Sequence, residues 1–491
     1  MTSEEPYDLF IIGGGINGAA IARDAAGRGL KVGLAEKGDF GSGTSSASSK
    51  LLHGGLRYLE LGAYGLVKKA LSERGVIFDA APHLAHPLAF VMPRIPDTRP
   101  DWKIRAGLLL YDHLGDRGGL PTSRRIRLRN DRAGRGLAPA MDHAWRYWDG
   151  WIDDSRMVIA NLRCAAARGA ALAQRNGVIS ARFDGDLWYI ELADRSVHSA
   201  RFIVNAGGPW AEIIARDLLD VADPPQLRLV QGTHIVLKRT TSSSDAIVLQ
   251  RPDKRIVFMI PFAASYLLVG TTETDVTGDP GAAGPTRDEL VYLLTAAGEA
   301  LAEPPSVNDI VHAFTGVRPL VLQPGKGARE TSRDWQLLRH SAVPALSVIG
   351  GKITTHRLLA EAVLKAVAPD TAPWTRGVPL PGADFEPQPG EHNRDSFVRW
   401  FDAMPGRFHD YDPRIVRRLA YRFGREAEAI LTDGIGEAIG PFYEAELRHF
   451  VEKEWAQTAE DILWRRTKAA MGVTEPQVAA IRDWLKGFTR P

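Results

Sequence analysis

The first 36 residues combine short apolar runs with one helical pattern. Residues 7–12, YDLFII, are mostly apolar and are followed by three glycines. From Ile16 to Arg28, alanine and isoleucine recur at the three- and four-residue spacing of a helix. Residues 30–36 then form a second short run that ends in an acid. This order predicts strand, tight turn, helix and strand, which is a complete βαβ unit.

The middle of the chain predicts a mixed sheet. Alternating or β-branched runs recur there between turns that contain glycine and proline. These runs cover residues 188–192, 201–206, 233–237, 255–260, 266–272 and 346–351. Because the pattern is less regular than the opening unit, we expect a sheet domain that lies between separate parts of the first domain.

Toward the C terminus the pattern becomes helical. Six prolines between residues 369 and 389 predict a linker over residues 369–394. Beyond about Asp395, apolar residues stand three and four apart. They do so within residues 414–423, 441–455, 459–471 and 475–488. A C-terminal helical domain over residues 395–491 is therefore expected.

The turn after the first predicted strand carries a nucleotide-binding pattern. Gly13, Gly15 and Gly18 form GxGxxG between a strand and a helix, where glycine allows a tight turn and a close approach of phosphate to the backbone. Glu36 ends the second strand, where a carboxylate can bind both ribose hydroxyls. This acid disfavours a 2′-phosphate and hence NADP. NAD and FAD both remain compatible with the motif.

Three further segments indicate a long cofactor. Residues 41–58 are rich in hydroxyl side chains and glycine, and residues 203–210 and 348–356 each end a predicted strand in small residues. Each segment alone is compatible with an ordinary turn. Three such segments after one βαβ unit are better explained by a cofactor that lies across the sheet.

Composition narrows the function classes. A chain of 491 residues suggests two to three domains, and its formal net charge of +2 provides no global field for nucleic acid. The single cysteine, Cys164, excludes disulfides within the chain, cysteine-ligated iron–sulfur clusters and cysteine-based zinc sites. We expect no metal site and no nucleic-acid partner. The N terminus shows no secretory signal pattern, and no apolar run is long enough to span a membrane.

Several stretches carry a resemblance over the whole chain. Besides the opening glycine motif they include TSSASSKLLHGGLRYLE, QGTHIVL, DKRIVFMIPF, GTTETD, TGVRPL, GGKITTHRLLAE and FYEAELRHFVEKEWAQTAEDILWRRTK. From about residue 7 to past residue 485, the sequence resembles the FAD-dependent aerobic glycerol-3-phosphate dehydrogenases of bacteria. The resemblance implies non-covalent FAD, oxidation of sn-glycerol 3-phosphate to dihydroxyacetone phosphate, and transfer of the electrons to membrane quinone.

The implied fold class is an α/β flavoprotein with a Rossmann-like FAD/NAD(P)-binding domain of the glycine oxidase type, a mixed-sheet substrate domain and a C-terminal α-helical domain. We expect the FAD domain to begin with residues 1–80 and to return near 155–215 and 340–368. The substrate domain is expected over residues 81–340, interleaved with the FAD domain.

The resemblance, together with the strand-end segments, also predicts the cofactor site. The residues assigned to FAD are Gly13, Gly15, Gly18, Glu36, Ser45, Ser49, His53, Gly54, Gly55, Ala206, Gly207, Gly351, Lys352 and Thr354.

Phosphate recognition is expected from arginine, because a guanidinium offers paired donors to phosphate oxygens. The resemblance points to Arg57, Arg318 and Arg333, with Tyr58 and either Thr271 or Thr272 beside them.

A base must also remove the hydroxyl proton when the alcohol is oxidised. The predicted catalytic residues are His234 as this base, Lys352 as the alternative base or flavin ligand, and Arg318. Histidine suits the role because its ordinary pKa lies near neutrality. A histidine within a strand is also compatible with a purely structural role, and the sequence does not decide between His234 and Lys352.

A basic and apolar segment suggests a membrane contact. Between Arg94 and Arg135, eleven Lys or Arg residues stand against five acids, interleaved with apolar residues. These apolar residues are Trp102, Ile104, Leu108, Leu109, Leu110 and Tyr111. Such a segment fits a helix in the headgroup plane, although it also fits a surface helix packed on the core. The resembled family is monotopic, so we expect a cytoplasmic protein attached peripherally to the cytoplasmic membrane, and a homodimer is compatible with the resemblance.

Three alternatives remain from the sequence. The first is a glycerol-3-phosphate oxidase that uses oxygen and makes hydrogen peroxide. The second is an amine or amino-acid oxidoreductase, for which a set of phosphate-binding arginines would have no purpose. The third is a non-catalytic, flavin-binding regulatory or assembly subunit, which would need none of His234, Arg318 and Arg333.

Overall fold

The computed structural model describes residues 5–96, 98–238, 241, 243–322 and 334–488. The strands are β1 Leu9–Ile12, β2 Val32–Glu36, β3 Leu51–Leu52, β4 Ala85–Pro93, β5 Arg124–Arg127, β6 His143–Ile152, β7 Ala171–Gln174, β8 Val178–Phe183, β9 Trp188–Leu192, β10 Val197–Ala200, β11 Ile203–Asn205, β12 Leu227–Lys238, β13 Ala246–Gln250, β14 Ile256–Phe262, β15 Tyr266–Gly270, β16 Thr274–Val276, β17 Ile310–Val321, β18 Gln336–His340, β19 Ala345–Ile349, β20 Ala438–Ile439 and β21 Phe442–Tyr443. The helices are α1 Ile16–Gly27, α2 Arg57–Glu60, α3 Tyr64–Ala80, α4 Asp101–Leu114, α5 Asp154–Ala166, α6 Ala211–Ile213, α7 Arg287–Ala300, α8 His356–Val367, α9 Asn393–Arg407, α10 Pro413–Phe423, α11 Glu426–Asp433, α12 Glu444–Glu452 and α13 Glu475–Gly487.

The predicted βαβ unit lies in a six-stranded sheet. Its strand order is β18-β19-β11-β1-β2-β7, and all neighbours are parallel except the β18–β19 pair. Helix α1 packs against α5 and α8, and its small residues Ala19, Ala22 and Ala25 are fully buried there. Since β1, β2, β11 and β19 are parallel, their carboxyl ends meet at one edge of the sheet, where open α/β sheets bind ligands.

A ten-stranded mixed sheet forms the second layer. Strand β12 pairs antiparallel with β15, β16 and β17, while β13 pairs with β4 in parallel. One apolar cluster joins this sheet to α7, and another joins it to α3 and α4. The sheet thus has helices packed against both of its faces, and β8, β9 and β10 form a separate antiparallel sheet.

The C-terminal helices have a core of their own. Leu419, Phe423, Phe442, Leu447 and Phe450 are buried together there. The pattern over residues 459–471 predicts an ordinary α-helix, but the chain forms a wider helical turn at Asp461–Arg466 followed by a tight turn at Ala469–Gly472. Among the described residues, every helix is too short or too polar to cross a membrane.

Buried ion pairs join the C-terminal helices to the six-stranded sheet. The guanidinium of Arg466 is fully buried and donates to both carboxylate oxygens of Asp39, at 2.7 and 2.9 Å. Glu454 accepts two hydrogen bonds of 2.8 Å from Arg156, near the N terminus of α5. Because removing one partner of such a pair leaves a buried charge without compensation, these contacts fix the C-terminal region to the first sheet.

Candidate active site

One cavity of about 780 Å³ extends from the carboxyl edge of the six-stranded sheet to the mixed sheet. Its lining includes the turns after β1, β2, β11 and β19, and also residues of β14 and β17. Its volume lies toward the upper end of the range for ligand pockets, which suits a ligand larger than a small substrate.

Glycines, which have no side chain, shape the end of this cavity that lies at the six-stranded sheet, which we call the sheet end. Gly13 has a φ of +111°, and a Cβ there would lie 2.6 Å from the carbonyl oxygen of Ala206. A Cβ on Gly18 would lie 2.0 Å from the carbonyl oxygen of Gly13. Both contacts are closer than any side chain allows, so glycine is required for the turn and for close packing of α1 on β1. The turn leaves the N terminus of α1 open to the cavity.

Glu36 is held at the end of β2 by two backbone amides. Gly14 N–H donates to Oε2 at 2.7 Å, and Gly38 N–H donates to Oε1 at 2.8 Å. The carboxylate is therefore oriented at the cavity wall, where it can accept hydrogen bonds from a ribose. Together, the glycine turn and this carboxylate fit the adenosine part of a dinucleotide.

Most of the predicted cofactor residues line the cavity. They are Gly13, Gly15, Glu36, Ser45, Ser49, His53, Gly55, Ala206, Gly207, Gly351, Lys352 and Thr354. Gly18 and Gly54 are not in the lining. Gly18 packs on the turn as described, whereas the amide of Gly54 donates to the hydroxyl of Tyr111 at 2.8 Å, on α4.

Cationic side chains gather at the other end of the cavity. Arg57, Arg255, Arg318 and Lys352 all line it, as do Tyr58 and Thr271. Arg57 and Tyr58 lie in α2, Arg318 lies in β17, and Lys352 follows β19, so the fold brings together residues that are far apart in sequence. Such a group of cations can bind an anion. Arg333, also predicted to bind phosphate, lies outside the described residues.

Two glycines make room for this cationic end. A Cβ on Gly232 of β12 would lie 2.4 Å from Oγ1 of Thr271 and 2.8 Å from Nη2 of Arg318. These two side chains approach each other to 3.5 Å in the space that Gly232 leaves. Near Gly55, Nζ of Lys352 lies 3.8 Å from the centre of the Tyr58 ring. A Cβ on Gly55 would lie 2.3 Å from that ring.

His234 lies behind the cavity wall and is not part of the lining. Its Nε2 is joined by a hydrogen bond of 2.8 Å to Oγ of Ser49, which does line the cavity. The imidazole stacks on Phe314, and Nδ1 has no hydrogen-bond partner among the described residues. Burial lowers the pKa of His234 well below its ordinary value, and the nearby charges of Arg318 and Lys50 lower it further. The ring is therefore neutral at neutral pH.

Glu289, which is not among the predicted site residues, organises the segment after β15. Its carboxylate accepts hydrogen bonds of 2.7 Å from Thr272 Oγ1, 2.9 Å from Thr274 Oγ1 and 2.8 Å from Thr233 Oγ1. Burial raises the pKa of Glu289, but these hydrogen bonds and that from the Thr286 amide outweigh it and leave the pKa below its ordinary value. Of the two predicted threonines, Thr271 lines the cavity, whereas Thr272 serves this buried carboxylate.

Three other charged residues of the lining were also missed: Lys37, Arg255 and Glu273. Arg255 was not singled out because it stands in a charged turn, as surface residues often do. Glu273 belongs to the GTTETD run that carries part of the resemblance, but no local pattern gives it a role. The remaining signal, its approach to Arg57 at 3.9 Å, depends on the tertiary fold.

Helix α4 is exposed on only one of its apolar faces. Trp102, Leu109 and Leu110 are 71%, 62% and 40% exposed, whereas Leu108 is fully buried. Ile104 and Tyr111 are also buried. Of the two interpretations of this segment, packing on the core holds for these three residues, which contact the mixed sheet, and only the exposed three remain available to a membrane.

Family models match both parts of the chain. Residues 8–357 match the model for FAD dependent oxidoreductases, and residues 373–486 match the model for the C-terminal domain of alpha-glycerophosphate oxidase. The first model alone covers more than half of the chain.

Curated relatives match over nearly the whole length. The chain is 40% identical to the D-erythritol 1-phosphate dehydrogenase of Brucella abortus, with 99% of each chain covered. It is also 40% identical to the aerobic glycerol-3-phosphate dehydrogenase of Escherichia coli, with 99% of this chain and 98% of the relative covered.

Solved structures share the fold. A glycerol-3-phosphate dehydrogenase from Bacillus halodurans complexed with FAD matches with a TM-score of 0.74 at 24% identity, over 99% of this chain and 95% of the other. Glycine oxidase from Geobacillus kaustophilus matches with a TM-score of 0.58 at 21% identity, over 77% of this chain and 99% of the other. The predicted fold class and the predicted FAD cofactor are thereby confirmed.

Proposed function

Because the chain belongs to the FAD-dependent glycerol-3-phosphate dehydrogenase and oxidase family, we propose that it oxidises sn-glycerol 3-phosphate to dihydroxyacetone phosphate. The observation that carries this proposal is the single cavity with a dinucleotide-binding edge at one end and a group of cations at the other. A polyol phosphate bound at the cationic end would share the cavity with the cofactor. When bound, FAD accepts the hydride from the substrate carbon. Cys164 is buried in α5 and is not in the lining, which supports non-covalent binding.

The cations at the far end supply phosphate recognition in this proposal. Arg318 donates paired hydrogen bonds to the phosphate, with the hydroxyl of Thr271 beside it. Arg57 and Tyr58 contact the same substrate from α2, and Arg333 is proposed as a further phosphate ligand from the resemblance. Lys352 adds positive charge between the phosphate and the strand end at Gly351.

We further propose His234 as the group that finally holds the substrate proton. The neutral imidazole accepts the proton of the Ser49 hydroxyl at Nε2, and Ser49 Oγ takes the proton of the substrate alcohol. This route is supported by the hydrogen bond between the two side chains and by the position of Ser49 at the cavity. Lys352 is the alternative base, since it lines the cavity directly and requires no relay.

Quinone is the proposed electron acceptor, and the cytoplasmic membrane surface is the proposed location. Trp102, Leu109 and Leu110 present an exposed apolar face on α4, within a segment rich in arginine. Two more exposed apolar residues, Leu61 and Tyr64, lie where α2 meets α3. We call these five residues the α4 patch. A patch of this composition suits contact with anionic headgroups.

Steady-state turnover tests the proposal. Purified enzyme is assayed with glycerol 3-phosphate and a quinone analogue, and oxygen consumption is measured on the same sample. We expect dihydroxyacetone phosphate and reduced quinone with little hydrogen peroxide. Stoichiometric peroxide would identify the oxidase alternative. Flavin-loaded protein without turnover of either kind would favour a regulatory subunit.

A further inference from the structure

The segment formed by residues 271–275, from the end of β15 into β16, points side chains alternately in opposite directions. Thr271 and Glu273 line the cavity, whereas the hydroxyls of Thr272 and Thr274 donate to Oε1 of Glu289. This alternation is that of an extended chain, and the buried Glu289 holds it in place. Glu273 is therefore aimed into the cavity by a rigid segment, and its side chain is only 11% exposed.

A carboxylate is unexpected at the cationic end of a cavity that takes a phosphate. The two anions repel each other, so Glu273 must face a part of the ligand other than its phosphate. Uncharged hydroxyls are the groups that such a carboxylate binds, because they donate hydrogen bonds to it.

Arg57, which neighbours Glu273, is also suited to bind a hydroxyl group. Nη1 of Arg57 lies 3.9 Å from Oε1 of Glu273. A hydroxyl both donates and accepts hydrogen bonds, so a carboxylate and a guanidinium at this spacing offer it an acceptor and a donor at one point. The same pair cannot form a hydrogen bond with a methyl group.

We propose that Glu273 recognises the hydroxyl on the carbon beyond the oxidised one and thereby selects polyol phosphates by their hydroxylated end. The inference rests on the proposed function and names the residue that reads the uncharged end of its substrate. In glycerol 3-phosphate this group is the terminal hydroxyl. Two relatives at 40% identity bear the names of a three-carbon and a four-carbon polyol phosphate, which differ at this end of the molecule.

Two substrates that differ by this one hydroxyl provide the test. Propane-1,2-diol 1-phosphate keeps the phosphate and the secondary alcohol of glycerol 3-phosphate but carries a methyl group in place of the terminal hydroxymethyl. The parent enzyme should prefer glycerol 3-phosphate. In Glu273→Ala, kcat/KM for glycerol 3-phosphate should fall by about 10- to 150-fold, as expected for the loss of a hydrogen bond to a charged group. For the diol phosphate it should change by less than about threefold.

Matched variants distinguish the loss of this hydrogen bond from general damage to the site. Glu273→Gln keeps the size of the side chain and a weaker acceptor, so its loss on glycerol 3-phosphate should be smaller and equally selective. Asp275→Asn removes an exposed carboxylate of the same segment, where it pairs with Arg228, and should leave both substrates unaffected. Flavin absorbance and the thermal midpoint of unfolding show whether each variant is folded. If Glu273→Ala is not folded, the test rests on Glu273→Gln.

The outcomes separate the inference from the function on which it rests. Equal losses on the two substrates, or no loss on either, overturn the role of Glu273 while the function stands. A parent enzyme that turns over neither substrate overturns both. A selective loss on glycerol 3-phosphate supports the inference.

Discussion

The two ends of the cavity are built by different means. The end at the six-stranded sheet uses backbone amides and the absence of side chains, as at Gly13 and Gly18. The far end uses charged side chains such as Arg57, Arg318 and Lys352, supplied by separate elements. The glycine turn is damaged when atoms are added, whereas the parts made of side chains, including Glu36, are damaged when atoms are removed. Substitutions can therefore separate cofactor binding from catalysis.

The largest effect is expected from His234→Ala, which removes the proposed base from the far end. The value of kcat should fall by about 10²- to 10⁴-fold, as is usual when general base catalysis is lost. Flavin content should stay at the parental level, because His234 is not part of the sheet end. The exposed His409 provides a control, since His409→Ala should change neither quantity.

The pH dependence of turnover tests the same assignment of His234 as the base. A base must be unprotonated to act, and burial holds the pKa of His234 well below its ordinary value. Activity of the parent should therefore persist as the pH falls past 6.5 and decline only when the pH passes through the lowered pKa. The acidic limb should be absent in His234→Ala. If that variant keeps near-parental turnover and the same limb, the role passes to Lys352.

A smaller effect is expected from Arg318→Ala, which tests whether the far end binds phosphate. Loss of a charge-assisted hydrogen bond predicts a fall of about 10- to 150-fold in kcat/KM for glycerol 3-phosphate. Glycerol lacks the phosphate, so it should be a poor substrate for the parent and should lose much less in the variant. Equal losses on both compounds would mean that Arg318 supports the fold.

Glu36→Ala tests the sheet end and should give the opposite pattern. FAD affinity should fall by about tenfold, because the ribose loses one charge-assisted acceptor. Turnover per bound flavin should remain near the parental value. The measurements are flavin-to-protein ratio after gel filtration and activity in excess FAD. A Glu36→Ala enzyme that stays fully loaded but turns over slowly would contradict the division between the two ends.

The smallest effect on chemistry is expected from the α4 patch, which belongs to neither end. Changing Trp102, Leu109 and Leu110 to Ser should lower sedimentation with anionic liposomes severalfold and reduce activity with a long-chain quinone in liposomes. Activity with a soluble acceptor should be unchanged. In the parent, binding should fall at high salt without vanishing, because apolar burial of about 25 cal/mol per Å² is not screened.

A matched control uses exposed valines elsewhere. Val197 and Val291 are 63% and 54% exposed and lie outside the α4 patch, so their change to Ser should leave vesicle binding intact. Parental vesicle binding by the α4 triple variant would place the docking surface elsewhere on the protein.

The sheet end could be predicted from the sequence because its determinants are local. The turn needs Gly13 for its positive φ and Gly18 for its close approach to the carbonyl oxygen of Gly13, and Glu36 follows at the end of the next strand. The pairing of Arg57 with Glu273 depends on contacts between residues more than two hundred positions apart. No local pattern encodes this contact, and the capping box of Thr286 and Glu289 indicates only the start of α7, so the roles of Glu273 and Glu289 in the site were missed.

Helix α4 also shows that a sequence pattern does not determine which residues are buried. Its apolar residues occupy more than one face, so periodicity alone does not tell which face the core covers. The structure buries Leu108 and exposes Leu109, and only the packing of α4 on the mixed sheet decides between them. Similarly, the pattern over residues 459–471 predicts a helix but not its widening at Asp461–Arg466, the segment that contains Arg466, the partner of Asp39.

The ion pair between Arg466 and Asp39 has a consequence for the order of folding. Asp39 stands three positions after Glu36, in the segment that closes the cofactor end of the cavity, yet its counter-charges Arg465 and Arg466 lie more than four hundred positions away along the chain. Contacts at such a separation are slow to form, because closing a long loop costs entropy before the contact is made. The cofactor end of the cavity should therefore become fully ordered only when the C-terminal helices have docked on it.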